Sequence, residues 1–413
     1  MAKDLFERAE CLDSIYTDPG TPSARIRCMR SFGLVTAVCA ATSLVHQKCC
    51  LHFGDTTGPL FLEAARRMLR EYEDHDIQNP DSSSLQIRML LSTCFQHYAG
   101  ENALAWHVVS QAGLIARQMC LYTEKAVMQH DPLESTLLRL SFWTLHMADS
   151  TAACVQNRGV VLQESLFNTS IDLEEFGLNQ VPLIDTDSVY YEEGFERSLL
   201  SGFHTMRRLW TVGAKLMLAI RAYGRDGPVE KRDGSSVTEN DIQHISELYA
   251  EVLGALDTMP PSLQSAISAP TSENAMEAYR ASCYTSQRFR LLSAYHSLKL
   301  MMIYQCGQHG LVRALGFREE PAVITMEKIR TARDYIHNLQ SVPFHYIKCN
   351  GETGAELMRV VGSALLEICQ NSPDAQSRQQ ADALLSMLLN ILARFDSRAL
   401  SESLQQRTNS GVN

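Results

Sequence analysis

Along most of this 413-residue chain apolar residues return every three or four positions, the spacing of amphipathic helices, and no alternating run of strand length competes with it. A helix rich in small residues is predicted from Arg25 to Lys48, and a second from Pro59 to Tyr72 with Leu60, Leu62, Ala65 and Leu69 on one face. The acidic segment Glu73 to Asp81 reads as a linker that closes on Asn79-Pro80, a stop signal. The next helix is expected to open at Ser83, which with Gln86 forms a capping-box pattern, and to carry Leu85, Met89, Leu91, Phe95 and Tyr98.

Beyond Gly100 one helix shows Leu104, Val108, Ala112, Ile115 and Met119 on one face and Trp106, Val109, Gly113, Ala116 and Cys120 on another, the mark of a central helix. Asp131-Pro132 places a capping acid before a proline at the first helical position, and Leu137, Leu140, Trp143 and Met147 follow towards Asn157. Residues 158 to 195 look irregular. Helices are then expected from Glu196 to Tyr223, from Thr238 to the stop at Pro260-Pro261, and from Ser272 to Cys306, with three more at Ala322 to Leu339, Glu352 to Cys369 and Asp374 to Phe395. That makes about twelve helices, with boundaries good to a few residues. The fold class is all-α, a single large multi-helix domain over residues 24 to 400, preceded by a segment 1 to 23 and followed by a loose tail 401 to 413.

A formal net charge of -10 and the lack of any run of basic residues argue against a free-standing nucleic-acid binder, which needs a concentrated Lys/Arg surface. The 12 cysteines lie inside apolar helical patterns, as reduced thiols do in an intracellular protein. Residues Met1 to Ile15 are too mixed and charged for a signal peptide. The longest apolar run, Phe32 to Val45, is too short to span a bilayer, so no membrane association is expected and the compartment reads as cytosol or nucleus.

Four groupings could carry chemistry. His46, Cys49, Cys50 and His52 are metal-capable but lack a second ligand pair, so buried thiols with partly exposed histidines are favoured over zinc. Glu71, Glu73, Asp74, Asp76 and Asp81 could hold magnesium, but in a proline-terminated linker they read as a solvated loop. Asp149, in an otherwise apolar helix, must find a partner, and an ion pair with Arg158 or Arg139 is expected. Lys299, between Leu298 and Leu300 and one turn beyond Tyr295 and His296, either snorkels or pairs internally, or points into a pocket to meet an anion; Lys299, Tyr295, His296 and Asp149 are the candidate ligand residues. A glycine-rich phosphate loop, a Gly-x-Ser-x-Gly elbow and a His-Glu-x-x-His motif are absent, so no catalytic residue, metal site or cofactor is predicted.

Ala105-Trp106, Leu114-Ile115-Ala116, Arg139 with Phe142-Trp143, Asp149, Pro260-Pro261-Ser262-Leu263 and Leu291 to Leu300 together resemble the middle homology region of fungal zinc-cluster transcription factors, over roughly residues 30 to 370. Where that family carries Asp-Arg and Gly-Arg-Pro, this chain has Asp149-Ser150 and Asn157-Arg158-Gly159, and no Cys-x-x-Cys pair of the zinc-cluster module occurs. The chain is thus similar to the stand-alone regulators of fungal secondary-metabolite gene clusters, trichothecene clusters among them. The resemblance implies an all-helical regulatory body in the nucleus that controls transcription of such a cluster, for a trichothecene or another terpenoid, through protein partners. Direct DNA contact and a small-molecule effector stay open. The alternative is a magnesium-dependent terpene cyclase like the motif-poor cyclases of fungal tropolone pathways, or a small-molecule-binding protein on the same body. Lys299 and Asp149 would then meet a diphosphate.

Overall fold

In the computed structural model the described residues are 22–45, 54–96, 102–156, 158–164, 167, 169–177, 181–184, 186–187, 191–225, 239–264 and 275–394. Among them every regular element is a helix and no strand occurs, so the chain is all-α. The elements are α1 (Pro22–Val45), α2 (Gly54–Gln78), α3 (Ser82–Cys94), α4 (Asn102–Gln118), the short α5 (Glu124–Val127), α6 (Pro132–Val155), α7 (Phe195–Arg225), α8 (Glu239–Gly254), the single turn α9 (Pro261–Gln264), α10 (Ala275–Gln308), a 3-10 turn at Val312–Leu315, α11 (Pro321–Gln340), α12 (Phe344–Cys349), α13 (Gly351–Asn371) and α14 (Ala375–Leu392).

The chain divides into two compact units. One comprises the described parts of Met1–Leu145 and Val161–Gln180; the other comprises those of His146–Val160 and Val181–Ser397. In the first unit α1 packs on α2 and α3, and α3 on α4. Ala37, Ala40 and Leu44 of α1 meet Leu62, Ala65 and Leu69 of α2 and Ile87 and Leu91 of α3. The small residues of α1 let its neighbours approach closely. The expected face of α2 holds except at Leu60, which is 70% exposed. Trp143 is buried as a core anchor while Trp106 is only half-buried.

Two expectations in this unit are corrected. The cap of α3 lies two residues before Ser83: the Asp81 side chain accepts from the Ser84 amide at 3.2 Å and the Ser84 hydroxyl accepts from the Asp81 amide at 3.0 Å, so the capping box is Asp81 with Ser84. The acidic segment after Tyr72 is not a solvated linker either, because α2 bends at Tyr72 and continues helical to Gln78. That extra turn carries Asp76 inward to 0% exposure, where it accepts from Arg30 Nη2 at 2.7 Å, the Ser84 hydroxyl at 2.7 Å and Arg88 Nη1 at 2.5 Å. Glu71 and Asp74 stay exposed and Glu73 is half-buried. The Asp131-Pro132 start of α6 is as expected, with Asp131 Oδ1 accepting from the Leu133 and Glu134 amides, both at 3.1 Å.

In the second unit α10 is the axis, packing against α7, α11 and α13, while α14 packs on α11 and α13 and α8 on α7. Its core joins Leu209, Trp210, Leu216 and Ile220 of α7 to Leu291, Leu298, Met302 and Ile303 of α10, with Ala153 and Cys154 from the end of α6. α7 and α10 cross closely at Gly213, where an added Cβ would lie 2.4 Å from Leu298 Cδ2. Within the described residues no helix is long and apolar enough to cross a membrane.

Candidate functional site

The second unit holds a cleft of about 670 Å³, within the range of small-molecule sites, formed by the end of α6 with α7, α10 and α13. Its floor is apolar: Met217 of α7, Leu300 and Met301 of α10, and Val360 and Ala364 of α13. Polar groups come from the same helices, because each is amphipathic and the cleft runs along the edge of its apolar stripe.

Arg221, one turn after Met217, donates from Nη1 to the Ala153 carbonyl at 2.7 Å and from Nη2 to the Cys154 carbonyl at 3.4 Å. It thereby closes the C-terminus of α6, whose last carbonyls lack helical partners and whose dipole favours a cation. Burial pulls the Arg221 guanidinium below its ordinary value, and the neighbouring Cys154 offsets this only in part. Cys154 itself is buried and its thiol is pushed up to about 12, which leaves it protonated and unreactive.

On α13, Glu352, Glu356 and Arg359 share one face, and Arg359 donates to Glu352 at 2.6 Å and to Glu356 at 2.6 Å. Burial lowers the Arg359 guanidinium, but the two carboxylates more than reverse it and the net shift is upward. Further along, Glu367 pairs with Lys328 of α11 at 3.1 Å, and Lys328 lies 5.4 Å from the centre of the Tyr304 ring. Glu356, Arg359, Glu367 and Tyr304 all line the cleft.

The residues singled out in the sequence fall elsewhere. Lys299, Tyr295 and His296 stand together on α10, but Lys299 pairs with Glu327 of α11 at 3.8 Å, the internal pairing anticipated as one alternative, and none of the three lines the cleft. Burial lowers His296, with Asp334 opposing and Lys299 adding to the fall, and burial with Asp257 and Asp334 raises Tyr295. Asp149 is buried on α6 and also lies outside the cleft lining. Of its two expected partners, Arg158 and Arg139, the latter is engaged in the first unit. There Arg139 binds both carboxylate oxygens of Glu124, at 2.5 and 2.6 Å, and the Glu174 carbonyl at 2.9 Å, while Trp143 Nε1 donates to that carbonyl at 3.1 Å.

His46, Cys49, Cys50 and His52 lie outside the described residues. Among the described residues no group of three or more His, Cys, Asp or Glu could hold a metal ion. Arg221, Glu356 and Arg359 were the residues to look for, and a signal existed: Glu352, Glu356 and Arg359 are four and three apart on a helix whose opposite face is apolar. Comparison with family models, with curated proteins and with solved structures found no match to this chain.

Proposed function

We propose that the chain is a ligand-responsive regulatory body that controls transcription of a fungal secondary-metabolite gene cluster, for a trichothecene or another terpenoid, acting in the nucleus through a protein partner. The transcriptional part of this reading comes from the resemblance to the zinc-cluster regulator body. The residues that carry it, Arg139, Phe142 and Trp143, sit in packing and in the Glu124–Glu174 lock, as befits a scaffold.

The observation that favours binding over catalysis is the pairing of the cleft's carboxylates. Both cleft carboxylates have a cation in ion-pair range, and the thiol at the α6 end is held protonated. Carboxylates so paired hold shape and charge rather than trade protons.

The test is deletion of the gene in its native host with transcript profiling. Collapse of the messages of one adjoining biosynthetic cluster is expected. Unchanged cluster transcripts, or formation of a terpene when purified protein is given farnesyl diphosphate and magnesium, would overturn the proposal.

A further inference from the structure

The cleft's charges are unevenly matched. Glu356 meets Arg359, which also holds Glu352, so that guanidinium is already engaged. Glu367 is balanced by Lys328. Arg221 differs: among the described residues its hydrogen-bond partners are two backbone carbonyls, and no carboxylate stands in ion-pair range. A guanidinium carries five N–H donors, and two carbonyl bonds leave donors over. The α6 dipole supplies roughly half a negative charge at that end, so Arg221 is compensated in part and is left able to attract an anion.

From this geometry we infer that the cleft binds an amphipathic monoanion, a monocarboxylic acid with a rigid apolar body, its carboxylate on Arg221 and its body over Met217, Leu300, Met301, Val360 and Ala364. Volume and floor suit a ligand of drug-like size, and two methionines among five floor residues adapt to differing apolar shapes. On the α13 side Arg359 is taken up by Glu352 and Glu356, and Lys328 by Glu367, so a second negative end finds no open cation there and a diphosphate is disfavoured where a single carboxylate is accepted. The inference rests on the cleft being the effector site of the proposed regulator.

Its test uses purified full-length protein and isothermal titration calorimetry with four probes: biphenyl-4-carboxylate, the neutral biphenyl-4-carboxamide, biphenyl-4-ylmethylammonium and inorganic pyrophosphate. The carboxylate is expected to bind about tenfold or more tightly than the amide, the size of one charge-assisted hydrogen-bonded contact, with the ammonium weaker still and pyrophosphate silent. Arg221→Gln should bring carboxylate and amide to equal affinity, and Arg221→Lys should keep part of the preference. Because Arg221 also closes α6, the exposed lining residue Ser363 provides variants that leave that cap alone. Ser363→Glu should abolish the carboxylate preference, and Ser363→Trp should abolish binding of both biphenyls by filling the cleft. Equal binding of carboxylate and amide by the unmodified protein, a preference that survives both Arg221→Gln and Ser363→Glu, or binding of pyrophosphate in place of the carboxylate would overturn the inference. No transcript enters the readout, so its failure is separate from failure of the regulatory reading.

Discussion

Replacing Asp76 by asparagine should be among the costliest single changes in the first unit. Asp76 and Arg88 are 0% and 1% exposed at the side chain, and Asp76 is the carboxylate that meets Arg88, whose remaining bond goes from Nη1 to the Ser84 carbonyl at 2.9 Å. Among the described residues Nε and Nη2 of Arg88 have no hydrogen-bond partner. Arg30 is better provided for, because it keeps Asp81 and the Asn79 carbonyl when Asp76 is neutralised. The loss therefore falls on Arg88, left as a buried charge without a counter-ion, and breaking such a pair from one side costs about 3–5 kcal/mol. Removing both partners, as in Asp76→Ala with Arg88→Met, takes both charges out of the interior and should recover most of that loss.

Trp106 and Trp143 both lie in the first unit, so their fluorescence in a Trp210→Phe background follows its urea unfolding. With a slope of about 2 kcal/mol per molar, the midpoint of Asp76→Asn should fall by roughly 2 M. A fall corresponding to less than about 1 kcal/mol, or a double variant no more stable than the single one, would refute the assignment of the cost to an unpaired Arg88.

Three further outcomes follow from the same kind of accounting. Burial, with Arg207 and Lys215 adding to it, lowers His146 from 6.5 to about 4. Below pH 6.5 the unfolded chain takes up a proton that the folded one refuses, so the second unit should lose up to about 3 kcal/mol between pH 6.5 and 4. Urea midpoints at pH 7, 5.5 and 4.5 should show this slope flattened in His146→Gln, and parallel slopes would contradict it. Glu124 is shifted the other way, held below its ordinary 4.5 by the hydrogen bonds from Arg139, so its stabilisation is full above that value and is lost as pH falls through the lowered one. Glu124→Gln should cost about 1–3 kcal/mol at pH 7 and shift Trp143 emission to the red, and an unchanged spectrum would sever Trp143 from the lock. Gly213→Ala gains about 1 kcal/mol of helix propensity but drives a methyl into the fully buried Leu298, an overpacking cost of about 1–3 kcal/mol. A lowered melting temperature is expected, and a raised one would show that Leu298 yields.

Helix class and most boundaries were legible because long helices repeat one signal many times over. α13 lies within two residues of both its expected ends and α10 within two of its expected C-terminus, since ten or more apolar positions outvote any local ambiguity. Failures came where one local cue had to decide. Ser83 with Gln86 matched the capping pattern as well as Asp81 with Ser84 did, and only the chain's approach to Asp76 selects between them. Asp76 itself was read from its neighbours: acids and a proline say linker, whereas an arginine 46 residues away on α1 and another on α3 turn one of those acids into a core residue. α5 and α12 were missed because four to six residues are too few for a period to show. The division between the two units leaves no mark either, since α6 runs unbroken through it.

The contrast between Lys299 and Arg221 explains why the site was harder to find than the fold. A charged residue amid apolar neighbours stands out in a sequence, and Lys299 did; yet its surroundings are decided by the next helix, and α11 brings Glu327 to it. Arg221 has no such setting, because a cation near the end of a helix is in its ordinary place. What makes it unusual is what reaches it among the described residues: carbonyls from the end of α6 and no carboxylate, although α13 supplies Glu356 and Glu367 to the same cleft. Those two acids are taken by Arg359 and Lys328, at 2.6 and 3.1 Å. A binding site is a residue of such pairings, the charge left over after every neighbour has chosen a partner. One chain position cannot announce it, because it depends on α6, α7, α11 and α13 at once. The periodicity that predicts each helix says nothing about which of their polar edges meet.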